Sequence, residues 1–328
     1  MPFKSGFIAI IGRPNAGKST LVNTLVGRKV SIVSPKPQTT RNRIQGIVNR
    51  DDAQIVLIDT PGIHKAENAL SRQMMDEVTH AFDGIDALTL IVDAAAGIST
   101  ADKYSFELVR RFKGPVFLAL NKIDQVKKPV LLPLIDHYQR EFEFAEIFPI
   151  SALTGEGTPQ LINAWLARLP EAPPYFPADQ VTDQPERFLA AEIIREKAIL
   201  ATREEVPYAI AVLLDNFDET EKLIRIRATV YVEREGQKGI LIGKRGETMK
   251  KIGTEARKEL ESILGIKIFL ELFVKVQSRW RENPNIVRQL DWHRQLEQIS
   301  EIQQQEDPLQ EKLPKELSAQ KETKEETS

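Results

Sequence analysis

"FIAIIGRPNAGKST", residues 7–20, decides the fold. Five apolar residues run into Gly12, four more residues lead to Gly17, and Lys18 and Ser19 follow. A short apolar strand, a glycine-bracketed turn and a helix start, in that order, make a phosphate-binding loop. Gly12 and Gly17 let backbone N–H groups curl around phosphate oxygens, and Arg13, Pro14, Asn15 and Ala16 form the turn between them. Lys18 is expected to reach the β- and γ-phosphates, and the Ser19 hydroxyl to ligate Mg²⁺.

Outward from this loop, short apolar runs at 7–11, 55–59, 87–92, 116–120 and 147–149 alternate with helical patterns at 18–25, 69–81, 101–111, 131–141 and 159–167. Strands that are apolar throughout are covered by helices on both faces. The rhythm predicts a doubly wound α/β domain with a mostly parallel sheet over residues 1–170, its ligands at the carboxyl ends of the strands. Residues 169–185, "LPEAPPYFPADQVTDQP", carry five prolines and break both periodicities, so 171–185 reads as a linker. A smaller α+β domain is expected over 186–283. It has a helix at 186–201, strands at 208–214 and 223–233, a helix from Gly246 to about residue 264 and a strand at 267–276. Residues 284–328 form an extension whose Gln/Glu/Lys-rich end, after about residue 300, predicts disorder.

Composition bounds the chemistry. At 328 residues, two domains are the natural expectation. The absence of cysteine removes disulfides, thiolate zinc sites and Cys nucleophiles, and fits a reducing cytosol. No apolar stretch reaches the roughly 18 residues of a membrane span, and the start, with Lys4 before a short apolar run, does not read as a secretory signal. The net charge of −2 conceals a basic module: residues 225–281 hold fourteen Lys/Arg against seven Asp/Glu, whereas 301–328 hold eight acids and four lysines. A basic module in a mildly acidic chain points to a polyanionic partner.

The base and the metal are read from three further loops. Asp59-Thr60-Pro61-Gly62 ends the second apolar strand; a carboxylate there can hold Mg²⁺ through a water, and the Gly62 amide, with Ile63 next, can meet the γ-phosphate. Asn121-Lys122-Ile123-Asp124 identifies guanine, because the Asp124 carboxylate accepts from N1–H and the exocyclic amine. A ligand lacking those donors is commonly rejected by roughly 10⁴-fold. Ser151 and Ala152 would place a backbone amide near guanine O6. The substrate is therefore GTP, and the four motifs in this order resemble the translation-factor-related class of P-loop GTPases. Between them, "SPKPQTTRNR" predicts the mobile switch I, with Gln38, Thr39, Thr40, Arg41 and Asn42 at its centre. Thr39 and Thr40 both qualify as Mg²⁺ ligand, and Thr40 is preferred for its position before Arg41. Lys18, Thr40 and Gly62 are the catalytic candidates; Ser19, Thr40 and Asp59 form the metal set. Ile63 stands where Ras-like enzymes carry a water-orienting glutamine, so slow basal turnover is expected. His64 is a weak substitute. Asn15 stands where some related GTPases hold a potassium ion, which makes K⁺ a further candidate cofactor.

A second glycine loop, Gly243-Lys244-Arg245-Gly246, has two intervening residues rather than four and no Lys-Ser after it. It fits the Gly-x-x-Gly turn between two helices that clamps the backbone of about four single-stranded nucleotides in KH domains. Lys244 and Arg245 supply charge, Lys250 and Lys275 extend it, and Ile240, Leu241 and Ile242 with Ile252 opposite are expected to floor the groove. Two strands before the turn and one after its helix suggest the type II KH arrangement. Trp280 reads equally as an RNA contact or as packing.

Taken together, "GRPNAGKST", "QTTR", "DTPG", "NKID", "RFLAAEIIREK", "VEREGQKGILIGKRG" and "LFVKVQSRWR" closely resemble the Era family of GTPases over about residues 4–281. The resemblance implies a G domain joined to a C-terminal KH domain. It further implies binding to the 3′ region of small-subunit ribosomal RNA and a role in maturing the small ribosomal subunit. It implies a monomer in the cytoplasm that associates peripherally with the inner face of the plasma membrane. The extension beyond the Trp-containing strand departs from the family pattern. Two rivals remain: a GTP-dependent RNA-modification factor, which lacks a visible chemical centre because the four histidines show no ligand spacing, and an RNA chaperone with a regulatory nucleotide site.

Overall fold

The strand that carries the first glycine loop, β1 (Lys4–Ile11), lies between β3 (Ala53–Asp59) and β4 (Ala87–Asp93) and pairs parallel with both. With β2 (Ile44–Asn49), β5 (Val116–Asn121) and β6 (Glu146–Pro149), these strands form a six-stranded sheet ordered β2-β3-β1-β4-β5-β6. This is a computed structural model, and it describes residues 2–99 and 102–290. Side chains alternate across β1. Ile8 and Ile10 meet Leu21 and Val22 of α1 (Lys18–Val26) and Leu161 and Trp165 of α5 (Thr158–Arg168). Ala9 and Ile11 face the other way. They join Val78 of α2 (Ala69–His80), Phe106 and Val109 of α3 (Asp102–Val109) and Leu134 and Tyr138 of α4 (Leu131–Glu141). Helices on both faces make the doubly wound α/β class that the apolar strands predict. The start expected for the third helix, at residue 101, lies outside the described residues.

Strand β2 is the element that the apolar pattern does not show. It runs antiparallel to β3, with Ile47 opposite Val56. Its centre is Gly46, where an added Cβ would stand 2.7 Å from Val22 and 2.9 Å from Val26. Glycine is needed for α1 to lie this close, and it interrupts the alternation that would mark a strand.

The proline-rich stretch is fastened rather than loose. Gln54 of β3 accepts from the Tyr175 and Phe176 amides at 2.8 and 2.9 Å and donates to the Phe176 carbonyl at 2.9 Å. Further along, the Ile47 amide donates to the Val181 carbonyl at 2.8 Å, Thr182 donates to Gln45 O at 2.7 Å, and Gln184 donates to Val30 O at 2.9 Å. Prolines cannot extend a ladder, but the side chains of β2 and β3 satisfy the backbone groups between them.

A second sheet, ordered β7-β8-β9, consists of β7 (Ala211–Glu219), β8 (Leu223–Val232) and β9 (Lys267–Val276). β7 and β8 are antiparallel, and β8 and β9 are parallel because the helical crossover lies between them. One face packs on α6 (Glu186–Leu200), α7 (Glu235–Ile242) and α8 (Glu247–Leu264), through Ile193, Ile226, Val230, Leu241, Ile252 and Leu260. The first strand begins at Ala211 rather than 208, because Val206–Ala209 is a 3₁₀ turn. A short α9 (Pro284–Gln289) follows, and the expected disordered tail lies outside the described residues. A fourth apolar cluster joins the two halves: Ala69, Leu70 and Met74 of α2 pack with Ala211, Trp280 and Val287.

Candidate nucleotide site and nucleic-acid groove

The first glycine loop closes around its own lysine. Gly12 and Gly17 take φ of 155° and 101°, and a Cβ on Gly17 would lie 2.1 Å from Asn121 Nδ2. Lys18 Nζ donates to the carbonyls of Gly12 and Arg13 at 3.1 and 3.0 Å. Burial pushes the Lys18 amine down to about 8, against the pull of nearby Asp59. Arg13 is pinned by Asp102 at 2.9 Å, so its guanidinium is engaged away from the phosphate loop. Asn15 takes a positive φ of 62°, and its Nδ2 donates to the Pro35 carbonyl at 2.8 Å.

Asp59 ends β3 fully buried, with both carboxylate oxygens lacking a hydrogen-bond partner. Burial raises its pKa; Lys18 and the hydroxyls of Ser19, Ser31 and Thr40 beside it act in the opposite direction. Ser19 Oγ and Thr40 Oγ1 lie 2.9 Å apart. Two hydroxyls facing each other beside an unpaired buried carboxylate form a hard-oxygen set that fits a small divalent cation. Of the two switch threonines, Thr40 faces Ser19, whereas the Thr39 hydroxyl is tied to Ser34 and the Lys36 carbonyl, both at 2.7 Å. Gln38 takes a φ of 60° to make this turn. A cavity of about 290 Å³ lies over Lys18, Ser19, Gln38, Thr40, Gly62 and Lys122.

In the Asp59–Gly62 loop and just beyond it, Thr60 Oγ1 donates to Ile10 O at 2.8 Å and the Ile63 amide to Gly12 O at 3.0 Å, with Pro61 buried between them. A Cβ on Gly62 would sit 2.7 Å from Pro14, so glycine is required where β3 and the phosphate loop meet. Ile63 is buried, and His64 Nδ1 lies 2.7 Å from its neighbour Gly62 O.

The base pocket is braced by one residue reaching two loops. Asn121 Nδ2 donates to Ala16 O at 2.7 Å, and its Oδ1 accepts the Ala152 amide at 2.8 Å. The Ala152 N–H, expected at guanine O6, is thus turned to Asn121 in this structure. Ser151 Oγ donates to Asp124 Oδ1 at 2.6 Å, holding an exposed carboxylate that keeps acceptor capacity for a base. Lys122, with φ 67°, pairs with Asp93 at 2.6 Å, and Ile123 opens the 3₁₀ turn behind it. The sequence reading passed over Asp93; its signal was its place at the end of β4, between the two flagged strand ends.

Arg41 and Asn42 point away from the nucleotide. Arg41 donates to Ile210 O at 2.7 Å, and its guanidinium lies 5.4 Å from the centre of the Trp280 ring. Burial, aided by Arg195, lowers its pKa well below the usual arginine range. Asn42 donates to Leu290 O at 3.2 Å. Trp280 is 0% exposed and donates through Nε1 to Ala209 O at 2.8 Å, so of its two readings packing is the one the structure displays.

At the second glycine loop, Gly243, Arg245 and Gly246 all take positive φ (72°, 52° and 81°), which sharpens the turn and leaves Lys244 and Arg245 exposed. A groove of about 660 Å³ runs from this turn along β9, between Ile242, Met249, Gly253 and Arg257 on one side and Phe269 and Phe273 on the other, with Lys250 at its rim. The expected floor is corrected here. Leu241 and Ile252 are fully buried in the core, because Ile252, Ala256 and Leu260 form the inward stripe of α8 at a spacing of four. Lys275 is exposed further along β9 and is not part of the groove lining.

Family models match both halves of the chain. Residues 7–122 match the family described as 50S ribosome-binding GTPase, and residues 205–281 match the KH domain family. GTPase Era of Syntrophus aciditrophicus (strain SB) is 52% identical over 293 residues, spanning 89% of this chain and 96% of the relative. The chain belongs to the Era family of GTPases. Two solved Era structures superpose with a TM-score of 0.85 at 42% identity and 88% coverage of this chain. One, covered over 98% of its length, is Era in complex with MgGDPNP and nucleotides 1506–1542 of 16S ribosomal RNA. The other, covered over 99%, is a point variant of Aquifex aeolicus Era bound to GDP·AlF₄⁻.

Proposed function

We propose that this Era-family protein is a GTP-hydrolysing switch that binds the 3′ region of small-subunit ribosomal RNA and acts in small-subunit biogenesis. The observation that carries this reading is the joining of two sites through one loop. Thr40 of switch I lies on Ser19 of the nucleotide site, while its neighbours Arg41 and Asn42 are bonded into the KH half. The 42%-identical Era that holds MgGDPNP and a 16S rRNA segment supports the ligands at both ends.

In this reading Ser19, Thr40 and Asp59 would hold Mg²⁺, which would neutralise charge on the phosphates of the nucleotide. Lys18 adds a further positive charge at the same oxygens. Asp124 and Asn121 select guanine. Because Ile63 supplies no polar group to orient water, turnover is slow until a partner or a monovalent cation assists. RNA lies along β9 with its backbone at Lys244 and Arg245 and its bases over Ile242, Met249 and Phe273. The GTP-loaded state admits RNA, and hydrolysis releases it by loosening switch I.

The proposal extends to a monomeric cytoplasmic protein that associates peripherally with the inner face of the plasma membrane, an extension that rests on the family alone. No helix among the described residues is long and apolar enough to cross a membrane. Crosslinking in cells with sequencing of the bound RNA tests the target: reads should pile up at the 3′ end of small-subunit rRNA. Recovery of mostly messenger or transfer RNA would sink the assignment. Equal RNA affinity in GTP and GDP forms would remove the switch, since a ligand without differential affinity shifts nothing.

A further inference from the structure

Helix α6 opens the KH half, yet two of its residues reach into switch I. Glu196 Oε1 accepts the Val33 amide at 2.8 Å, where the loop begins. Its other oxygen takes Lys29 at 2.6 Å and Lys197 at 2.9 Å, so the carboxylate is fixed before it meets the loop. At the far end of the loop, Arg195 Nη2 donates to the Thr39 carbonyl. Glu192 braces the same guanidinium from behind, on Nε at 2.7 Å and on Nη2 at 2.6 Å. Arg195 and Glu196 are each only 2% exposed.

The Thr39 carbonyl belongs to the peptide that leads directly into Thr40, whose hydroxyl sits 2.9 Å from Ser19. The loop's internal bonds, Ser34 to Thr39 and Thr39 to Lys36, shape residues 34–39, and Asn15 of the phosphate loop holds the Pro35 carbonyl, but none of these contacts holds the Thr39 carbonyl. Arg195 also leaves its Nη1 buried without a partner.

We propose that α6 is a clamp in which Arg195 and Glu196, residues of the RNA-binding half, hold switch I closed and so seat Thr40 in the metal site. The inference rests on the GTP-switch reading above and assigns its intramolecular regulator. Arg195 and Glu196 are positioning residues, acting through the Thr39 and Val33 backbone. The triphosphate state needs Thr40 in place and the diphosphate state does not. The clamp therefore favours GTP over GDP, and by reciprocity anything that shifts α6, such as RNA in the neighbouring groove, changes GTP affinity.

The test uses the full chain without RNA, so that the RNA assignment does not enter. Equilibrium titrations with fluorescent GDP and with a fluorescent non-hydrolysable GTP analogue, at fixed Mg²⁺, compare wild type, Arg195→Gln, Arg195→Lys and Glu196→Gln. Loss of a hydrogen bond from a charged group should weaken the GTP analogue about tenfold in Arg195→Gln and leave GDP affinity within about twofold. Arg195→Lys keeps the charge and should fall between. If Arg195→Gln does not fold, as judged by its melting curve, Arg195→Lys and Glu196→Gln should still weaken the GTP analogue more than GDP, Arg195→Lys by less than about tenfold. Equal weakening of both nucleotides would make these residues plain packing groups and overturn the clamp, as would no change in either. Wild type that binds neither nucleotide would remove the parent reading and the clamp with it, a result distinct from all of these.

Discussion

The buried amine of Lys18 makes nucleotide binding depend on pH in a window where an ordinary lysine would not. Before nucleotide binds, burial holds its pKa at about 8, with Asp59 opposing the shift, against an ordinary value of 10.5. Only the ammonium form rewards contact with phosphate oxygens, and contact raises the pKa again, so binding takes up a proton. With a pKa of about 8 the site is about 90% protonated at pH 7 and about 10% at pH 9. Affinity for GDP should therefore be nearly full at pH 7, about halved at pH 8 and about tenfold weaker at pH 9, with nearly one proton absorbed per nucleotide bound there. GDP suits the assay because its terminal phosphate ionises near about pH 6, below the window. Fluorescent GDP titrated from pH 7 to 9 reads the affinity. Calorimetry at pH 9 in two buffers of different ionisation enthalpy reads the proton. The stability of the nucleotide-free protein moves the other way. Its unfolded chain binds more protons between about pH 8 and 10.5, so stability should rise with pH across that window, by up to about 3 kcal/mol. A dissociation constant that stays flat from pH 7 to 9, with no proton uptake, would refute the reasoning.

Three further outcomes are expected. Asp124→Asn removes the acceptor for guanine N1–H and should reduce GTP affinity by at least about a hundredfold while admitting xanthosine triphosphate; unchanged GTP preference in a competition assay would relocate base selection. Trp280→Ala empties a fully buried site between α2 and β7 and should destabilise the protein by about 3–5 kcal/mol in denaturant titration, whereas a loss under about 1 kcal/mol would mean that the ring is not structural. Replacing Na⁺ with K⁺ should speed phosphate release from wild type and not from Asn15→Ala; equal rates in both salts would strike potassium from the cofactors.

The nucleotide site was readable because each of its loops is local: strand, turn and the charged residue occupy a few consecutive positions, and chemistry fixes their spacing. Lys18, Asp59, Asn121 and Asp124 needed no knowledge of distant contacts. The same locality exposed Gly243–Gly246, and with it the KH half. What was hidden depends on partners far away in the chain. Strand β2 was obscured by Gly46, whose absent side chain makes room for Val22 and Val26 of α1 on the face of the sheet. The groove floor was misassigned although α8 carried its own correction, since the spacing of Ile252, Ala256 and Leu260 marks the inward face and leaves Met249, Gly253 and Arg257 outward. Nothing local to α6 marks the roles of Arg195 and Glu196. Their meaning lies in the Thr39 carbonyl and the Val33 amide, more than 150 residues earlier.

The hydrogen bonds that fasten residues 173–184 to Ser5 of β1, to β2 and β3 and to the Val30 carbonyl change the mechanics of any rearrangement between the halves. A tether of that length, if free, would let the RNA-binding half wander through a wide volume. The last of these staples is Gln184 on the Val30 carbonyl, and Pro185 leads directly into α6. A swing of the halves that breaks their direct contacts would then pivot at this last staple, as on a pin. An arc about that pin carries the adjacent α6 by little and the distant Gly-x-x-Gly turn by much, so a small change at switch I is geared up at the RNA. Splicing flexible residues into 174–180 would leave this gearing untouched, whereas the same insertion at 184 would turn the pin into a leash.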